Sequence, residues 1–348
     1  SFGPSAAIGS VVGPPTIANS NITWATQTTR SVGYESKWLN DLIHWNFEFF
    51  KNKREDILAP RDASVPDFTG LSLPNENIAR VDNSGFEMEA GVHKNLTADL
   101  RLDVSGNLSY NHNKVVFKDE PERAVPWQRE TGHPYNAWLM YKCIGVFADD
   151  AAVKNYPAWT GAKPGDLIFE DVSGDGKIDG NDRILIDEVD VPKTYYGFNI
   201  DASWKGLSLS LMFQGQGKFY KFNHYDERRG EAGNYFKWTY DNRWTPDNRN
   251  TNIGRAFNRN DFYWAHAVNM STYWLDNTAY CRLKNLVITY NIPRQIFRGI
   301  GISNANVYFS GNNLALLWTA TRKFDPEANG AGVYPIMKTF AFGANISF

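Results

Sequence analysis

Twelve residues from Asp171 to Asp182 read Asp-Val-Ser-Gly-Asp-Gly-Lys-Ile-Asp-Gly-Asn-Asp. Side-chain oxygens fall at the first, third, fifth and ninth positions, which are Asp171, Ser173, Asp175 and Asp179. Lys177 offers its carbonyl at the seventh, Gly176 permits a sharp turn at the sixth, and Asp182 closes the run. Oxygen donors at this spacing suit a hard cation, so calcium is the expected ligand. Its expected role is structural, because clustered carboxylates repel until a cation neutralises them, and binding then orders the loop. Asp stands where a bidentate Glu usually closes such a loop, and no helical pattern flanks it. An Asp/Gly-rich turn that needs no metal is the competing reading.

A second concentration of useful side chains lies between Tyr220 and Asn277. Tyr220, Tyr225, Tyr235, Trp238, Tyr240, Trp244, Tyr263, Trp264, Tyr273 and Trp274 stand there among Asp, Asn and Arg. Aromatic faces pack against the C–H faces of sugar rings while neighbouring carboxylates and amides hold the hydroxyls. Tyr235, Trp238, Tyr240, Trp244 and Trp264 are the candidate substrate-binding residues. The alternative is that these rings pack the loop itself or form an interfacial girdle.

Covalent and hydrolytic chemistry finds little support. There is no GxSxG elbow, HExxH zinc helix or GxxxxGK[ST] phosphate loop, and the six histidines lie apart. Adjacent acids such as Asp149-Asp150 would point to opposite faces of a strand. Cys143 and Cys281 lack a CxxC spacing and read as packing residues. The expectation is that the chain is not an enzyme; a hydrolase using loop carboxylates is the rival. A net charge of -2 with scattered Lys and Arg excludes a nucleic-acid footprint.

The elements that must carry these residues are strands. Thr97 to Asn111 alternates strictly, Ala98, Leu100, Leu102, Val104, Leu108 and Tyr110 against Asp99, Arg101, Asp103, Asn107 and Ser109. Phe86 to His93 does the same one tight connection upstream, and the pair reads as a hairpin. The pattern recurs from Ile43 to Phe49, Tyr196 to Trp204 and Leu207 to Phe213, with Lys205-Gly206 as a turn. It also fits Thr23 to Lys37, Tyr135 to Phe147, Thr278 to Tyr290, Asn306 to Trp318 and Ile336 to Phe348. No apolar run reaches the ~20 residues of a spanning helix. A membrane barrel escapes that test, since its strands alternate apolar and polar residues and leave mean hydropathy, here -0.46, low.

Connections alternate between short ones, near Leu39 to Asp41, His93 to Leu96 and Lys205-Gly206, and long ones such as Ala148 to Lys193 and Tyr220 to Asn277. Tight turns on the periplasmic side and long loops outside describe an outer-membrane barrel, where a soluble sandwich would not sort them so. If short turns are periplasmic, both Tyr135 to Phe147 and Tyr196 to Trp204 run down toward the periplasm. Two descending strands cannot be neighbours, so a further strand is expected between Ala148 and Lys193, giving about eleven. The last strand, Phe340, Phe342, Ala344, Ile346 and Phe348, resembles a barrel-assembly signal with Phe348 as its anchor.

Several segments resemble the SusC/RagA family of TonB-dependent outer-membrane transporters, and the resemblance covers nearly the whole chain. Asn83-Ser84-Gly85-Phe86-Glu87 is similar to the family's N-K-G-[FIV]-E, with Ser84 in place of Lys. Pro134-Tyr135 followed by Gly145-Val146-Phe147 resembles its G-x-P…G-I-F stretch. Tyr280-Cys281-Arg282-Leu283-Lys284-Asn285-Leu286 through Tyr290-Asn291-Ile292-Pro293 is the strongest match, and Ser310-Gly311-Asn312-Asn313-Leu314 follows in order. Arg243-Trp244-Thr245-Pro246 looks like a family loop motif.

The resemblance implies an all-β transmembrane barrel of about 22 antiparallel strands in the bacterial outer membrane. Residues 1–348 would be its C-terminal part, with the plug and TonB box outside this chain. It implies energy-coupled import of an oligomeric nutrient, a glycan before a peptide. Implied partners are a SusD-like surface lipoprotein, TonB-ExbB-ExbD through the missing part, the rest of the barrel and plug, and outer-membrane lipids. A passive, calcium-stabilised adhesion barrel is the alternative outside transport.

Overall fold

The computed structural model describes residues 18–61, 63, 74–189, 191–222, 236–257, 261, 263–264, 270–321, 323–328 and 333–348. In chain order its strands are β1 (Thr26–Trp38), β2 (Ile43–Ala59), β3 (Glu76–Asn95), β4 (Leu100–Phe117), β5 (Trp138–Tyr141), β6 (Cys143–Val146), β7 (Leu167–Phe169) and β8 (Arg183–Ile186). They continue as β9 (Thr194–Trp204), β10 (Leu207–Gln216), β11 (Tyr220–Phe222), β12 (Leu275–Asn277), β13 (Tyr280–Asn291), β14 (Asn304–Thr319) and β15 (Thr339–Ser347). Two short helices, α1 (Asp150–Asn155) and α2 (Lys237–Asn242), lie in the long connections. Among the described residues no helix is long and apolar enough to cross a membrane.

One antiparallel sheet of nine strands, in the order β1-β2-β3-β4-β9-β10-β13-β14-β15, forms the wall. Its register turns the alternation of the sequence into two surfaces. One row of paired residues crosses all nine strands as Trp38, Ile43, Val92, Val104, Ile200, Leu211, Leu286, Gly311 and Phe340. The next row reads Lys37, His44, Gly91, Ser105, Asn199, Met212, Asn285, Asn312 and Thr339. Successive residues face opposite sides of a sheet, so one face is apolar and the other polar.

The apolar face is open to its surroundings: Val32, Phe49, Val104, Trp204, Leu207, Ile288, Phe340 and Phe342 are all exposed. A patch of this extent is one that water does not tolerate but lipid does. Stacked rings at Phe47–Phe86 and Phe86–Tyr110, 6.0 and 5.8 Å between centroids, tie β2, β3 and β4 together on that face. Elsewhere rings lie over cross-strand glycines. A Cβ at Gly215 would strike the Tyr196 ring, and one at Gly343 the Tyr308 ring.

Wall strands as long as β3, with 20 residues, exceed the ~9–11 that cross a bilayer. The expected sorting holds for the turns at 39–42, 96–99 and 205–206, while residues 292–303, at the same end, make a longer connection. Leu39, Asn40 and Asp41 turn with positive φ, and Lys205 and Gly206 (φ 47 and 88) make the positive-φ pair of a two-residue hairpin. Residues 118–193, 217–279 and 320–338 are the long connections at the other end.

The strand count differs from the sequence reading. β4 pairs directly with β9, so the connection between them returns to the neighbouring position in the wall. Tyr135 to Phe147 is not a wall strand: it splits into β5, paired with β8, and β6, paired with β7. The additional strand expected between Ala148 and Lys193 is likewise replaced by the short β7 and β8, off the wall. Nine wall strands, not eleven, remain among the described residues, and parity is satisfied because β4 ascends and β9 descends. Short alternating segments look alike in sequence whether they cross a membrane or pair above it.

Candidate functional site

The long connections fold on one another above the wall, around a core of Leu167, Phe169, Ile178, Tyr263, Trp264 and Trp274. Tyr141, Trp159, Phe257 and Tyr273 pack against it. Rings are close throughout: Trp159 and Phe169 lie 4.7 Å apart and Phe257 stacks on Trp264 at 4.4 Å. Gly165, at φ +88, is required, since a Cβ there would meet the Trp244 ring and Arg255.

A buried charged group pins this core. Asp166 is fully buried; Trp264 Nε1 donates to its Oδ1 at 2.7 Å and the Lys163 N–H to its Oδ2 at 2.8 Å. Arg255 Nε lies 2.7 Å from the same Oδ1, and Arg255 Nη2 donates to Asp261 at 2.7 Å. Sequence reasoning passed over Asp166, Arg255 and Asp261, which no local motif marks. The Tyr263 hydroxyl donates to the Leu167 carbonyl, and burial pushes its pKa above the ordinary tyrosine value.

The candidate substrate aromatics separate by position. Trp264 is 3% exposed, its N–H is taken by Asp166 and one ring face by Phe257, so it presents nothing to a sugar. Trp244 is half-buried and donates to the Ala148 carbonyl at 3.1 Å. Trp264 thus packs in the loop core, and the Trp244 ring lies against Gly165. Trp238 and Tyr240 lie on α2, Tyr240 exposed with the Arg243 guanidinium 4.0 Å from its ring centre, Trp238 half-buried with Lys323 Nζ 5.0 Å from its ring. Tyr225 and Tyr235 lie outside the described residues.

The 171–182 loop belongs to the same assembly. Gly174 and Gly176 take positive φ, and both Asp171 oxygens accept loop N–H groups, Oδ1 from Gly174 at 2.8 Å and Oδ2 from Gly176 at 2.9 Å. Burial raises the pKa of Asp171, but these bonds and the Ser173 hydroxyl outweigh it and hold the carboxyl below its ordinary value. The Lys177 N–H bonds Asp175, and the Asn181 N–H bonds Asp179. Asp182 is fully buried and accepts from the N–H groups of Ser173 and Asp179 at 3.0 and 2.7 Å. Trp127 and Gln128 donate to the carbonyls of Asn181 and Gly180 and dock the loop's end. The donor types suit calcium, yet among the described residues no three His, Cys, Asp or Glu side chains are gathered as a metal site. Asp171 and Asp182 are turned to the loop's own backbone.

Phe348, the expected assembly anchor, is exposed just beyond β15. Cys281 is buried and Cys143 half-buried, and neither is in a disulfide.

No family model matches the chain. Among curated proteins it is 27% identical over 95% of its length to the TonB-dependent receptor P3 of Formosa agariphila and 22% identical over 96% to the TonB-dependent receptor SusC of Bacteroides thetaiotaomicron. It spans about a third of the length of these relatives, 35% and 33%. Among solved structures, the RagAB peptide transporter matches with a TM-score of 0.73 at 24% identity, covering 96% of this chain and 36% of that one. The RagAB peptide importer in its closed-closed state matches at 0.72 and 25% identity. An exposed apolar face on a long-stranded antiparallel sheet, with loops gathered at one end, defines an outer-membrane β-barrel wall. Over nearly its whole length the chain is similar to TonB-dependent receptors, SusC among them, and it shares the outer-membrane barrel fold of RagAB.

Proposed function

We propose that this chain supplies part of the wall and extracellular loops of an energy-coupled importer for an oligomeric nutrient. The paired apolar and polar rows across nine strands, capped at the long-loop end by a folded aromatic assembly, carry this reading. The relatives are named receptors, and RagAB a peptide transporter, so uptake fits better than catalysis. In the loop assembly Asp166 has its oxygens engaged by Trp264, Arg255 and Lys163, which leaves it as a pin and not an acid or base. A SusD-like lipoprotein above the loops and TonB below the barrel complete the proposed machine.

We take a glycan as the leading cargo and a peptide as the alternative. On α2, Tyr240 presents an exposed ring beside Arg243 and Trp238 a half-buried one beside Lys323, each offering a sugar the side its cation leaves open. Cells expressing the full-length receptor should take up an oligosaccharide, and Tyr240→Ala with Trp238→Ala should weaken binding about tenfold. Uptake of peptides alone, indifferent to both changes, would reassign the cargo. We also propose that calcium orders the 171–182 loop, supported by its donor spacing and its positive-φ glycines.

A further inference from the structure

Residues 323–328, between β14 and β15, are folded back against the wall, and charge holds them there. Arg282 of β13 is only 3% exposed, and register places it beside Gln214, on the polar side of the sheet. Its Nη2 donates to both Asp325 oxygens, at 2.7 and 2.6 Å, and its Nε lies 2.7 Å from Glu327 Oε2, off the hydrogen-bond axis. Lys284 of the same strand donates to Glu327 Oε1 at 2.6 Å.

Two further lysines fasten the segment to the paired strands β11 and β12. Lys221 Nζ donates to the carbonyls of Pro326 and Ala328, at 3.0 and 2.8 Å. Lys323, within the segment, reaches Asp276 of β12 at 2.6 Å and lies over the Trp238 ring. The segment's own turn is set by Asp325, whose side chain accepts from the Glu327 N–H and whose carbonyl accepts from the Ala328 N–H.

The segment lies outside the sheet ladders; Phe324 is half-buried and Pro326 and Ala328 are buried, and the ion pairs share the hold with them. A connection outside the ladders, tied to the wall by side chains and not by strand pairing, opens more readily than the sheet beneath it. Its ion pairs are nevertheless mostly shielded from water, Asp325 and Glu327 being 15% and 13% exposed, so removing one partner strands a charge and favours release. The fastenings also join the wall at β13, the β11–β12 strand pair and the connection after β14.

We propose that residues 323–328 form a charge-held strap that opens as one unit from the polar side of the wall, with Arg282 as its fixed anchor. Opening frees the β14–β15 connection and, through Lys323, loosens the α2 region that carries Trp238, while the wall strands stay paired. This rests on the chain being a barrel wall and does not depend on the identity of the cargo.

Hydrogen exchange on the full-length receptor in detergent, read by mass spectrometry, tests it. Arg282→Gln and, separately, Asp325→Asn with Glu327→Gln should each speed exchange in peptides covering 323–328 and 275–277 by on the order of a hundredfold. Peptides from β13 and β14 should keep their protection, and the barrel its heat-modifiable migration. Combining all three changes should open the strap little further than either set alone, because both remove one interaction. Unchanged exchange at 323–328 in both variants would overturn the proposal. So would loss of protection in β13 and β14 together with the strap, which would make Arg282 a residue of the wall and not of a latch. Absence of any cargo uptake by the unaltered receptor, with the variants showing the expected faster exchange, would count against the import reading alone.

Discussion

At the scale of single residues, the loop assembly depends on one buried carboxylate. Asp166 collects a tryptophan N–H, a backbone N–H and the Arg255 guanidinium, and Arg255 reaches on to Asp261. Replacing Asp166 by Asn keeps the shape but leaves Arg255 in a buried place with one anionic partner fewer. Breaking a buried pair from one side costs roughly 3 kcal/mol. The expected result is faster tryptic cleavage after Arg255 in Asp166→Asn, with a barrel that still resists heat in detergent. Equal cleavage in both proteins would show that the aromatic packing holds the loops without the pin. Asp166 was illegible in the sequence because its partners lie far away along the chain, Trp264 98 positions on. Trp264 itself was legible as an aromatic in a rich loop, but not as a core residue, since sequence shows the ring and not what covers its faces.

At the scale of elements, the 171–182 loop is where local sequence said most. Its spacing foretold the turn at Gly176, which adopts positive φ, as Gly174 does too. The spacing did not foretell that Asp182 would be buried, nor that Trp127 and Gln128 would dock the loop from another connection. If calcium orders the loop, millimolar calcium should slow tryptic cleavage after Lys177 severalfold relative to chelator, and Asp175→Asn with Asp179→Asn should abolish the difference. Identical cleavage with calcium and with chelator would leave the loop as a self-capped turn. Hairpins were equally readable: Lys205-Gly206 is a turn by composition, and β9 and β10 pair around it. The segment from Tyr135 to Phe147 misled because β5 and β6 alternate as a membrane strand does, yet each is only four residues long and pairs within the loops.

At the scale of the whole molecule, the two faces of the sheet make opposite demands. Val104 lies in the apolar row and Ser105 beside it in the polar row. An arginine on the lipid-facing side costs up to about 2–4 kcal/mol near the bilayer midplane, whereas the polar side tolerates it. Val104→Arg should therefore lower the yield of folded, heat-modifiable barrel in the outer membrane, and Ser105→Arg should not. Equal yields would contradict the assignment of the faces.

The sequence by itself determined what depends on neighbours along the chain. It fixed the strand alternation, the tight turns, the sorting of short and long connections, and the likeness to SusC/RagA receptors. These follow from side-chain periodicity and turn chemistry, which act over a few residues. Tertiary structure alone decided that β4 pairs with β9 across residues 118–193, that nine strands and not eleven form the wall, and which aromatics face inward. It also decided that Arg282, read in sequence only as part of a motif, is paired with Asp325 and Glu327. Such pairings form between residues distant along the chain, where the gain from burying rings and matching charges is set by the packed whole and leaves no local mark.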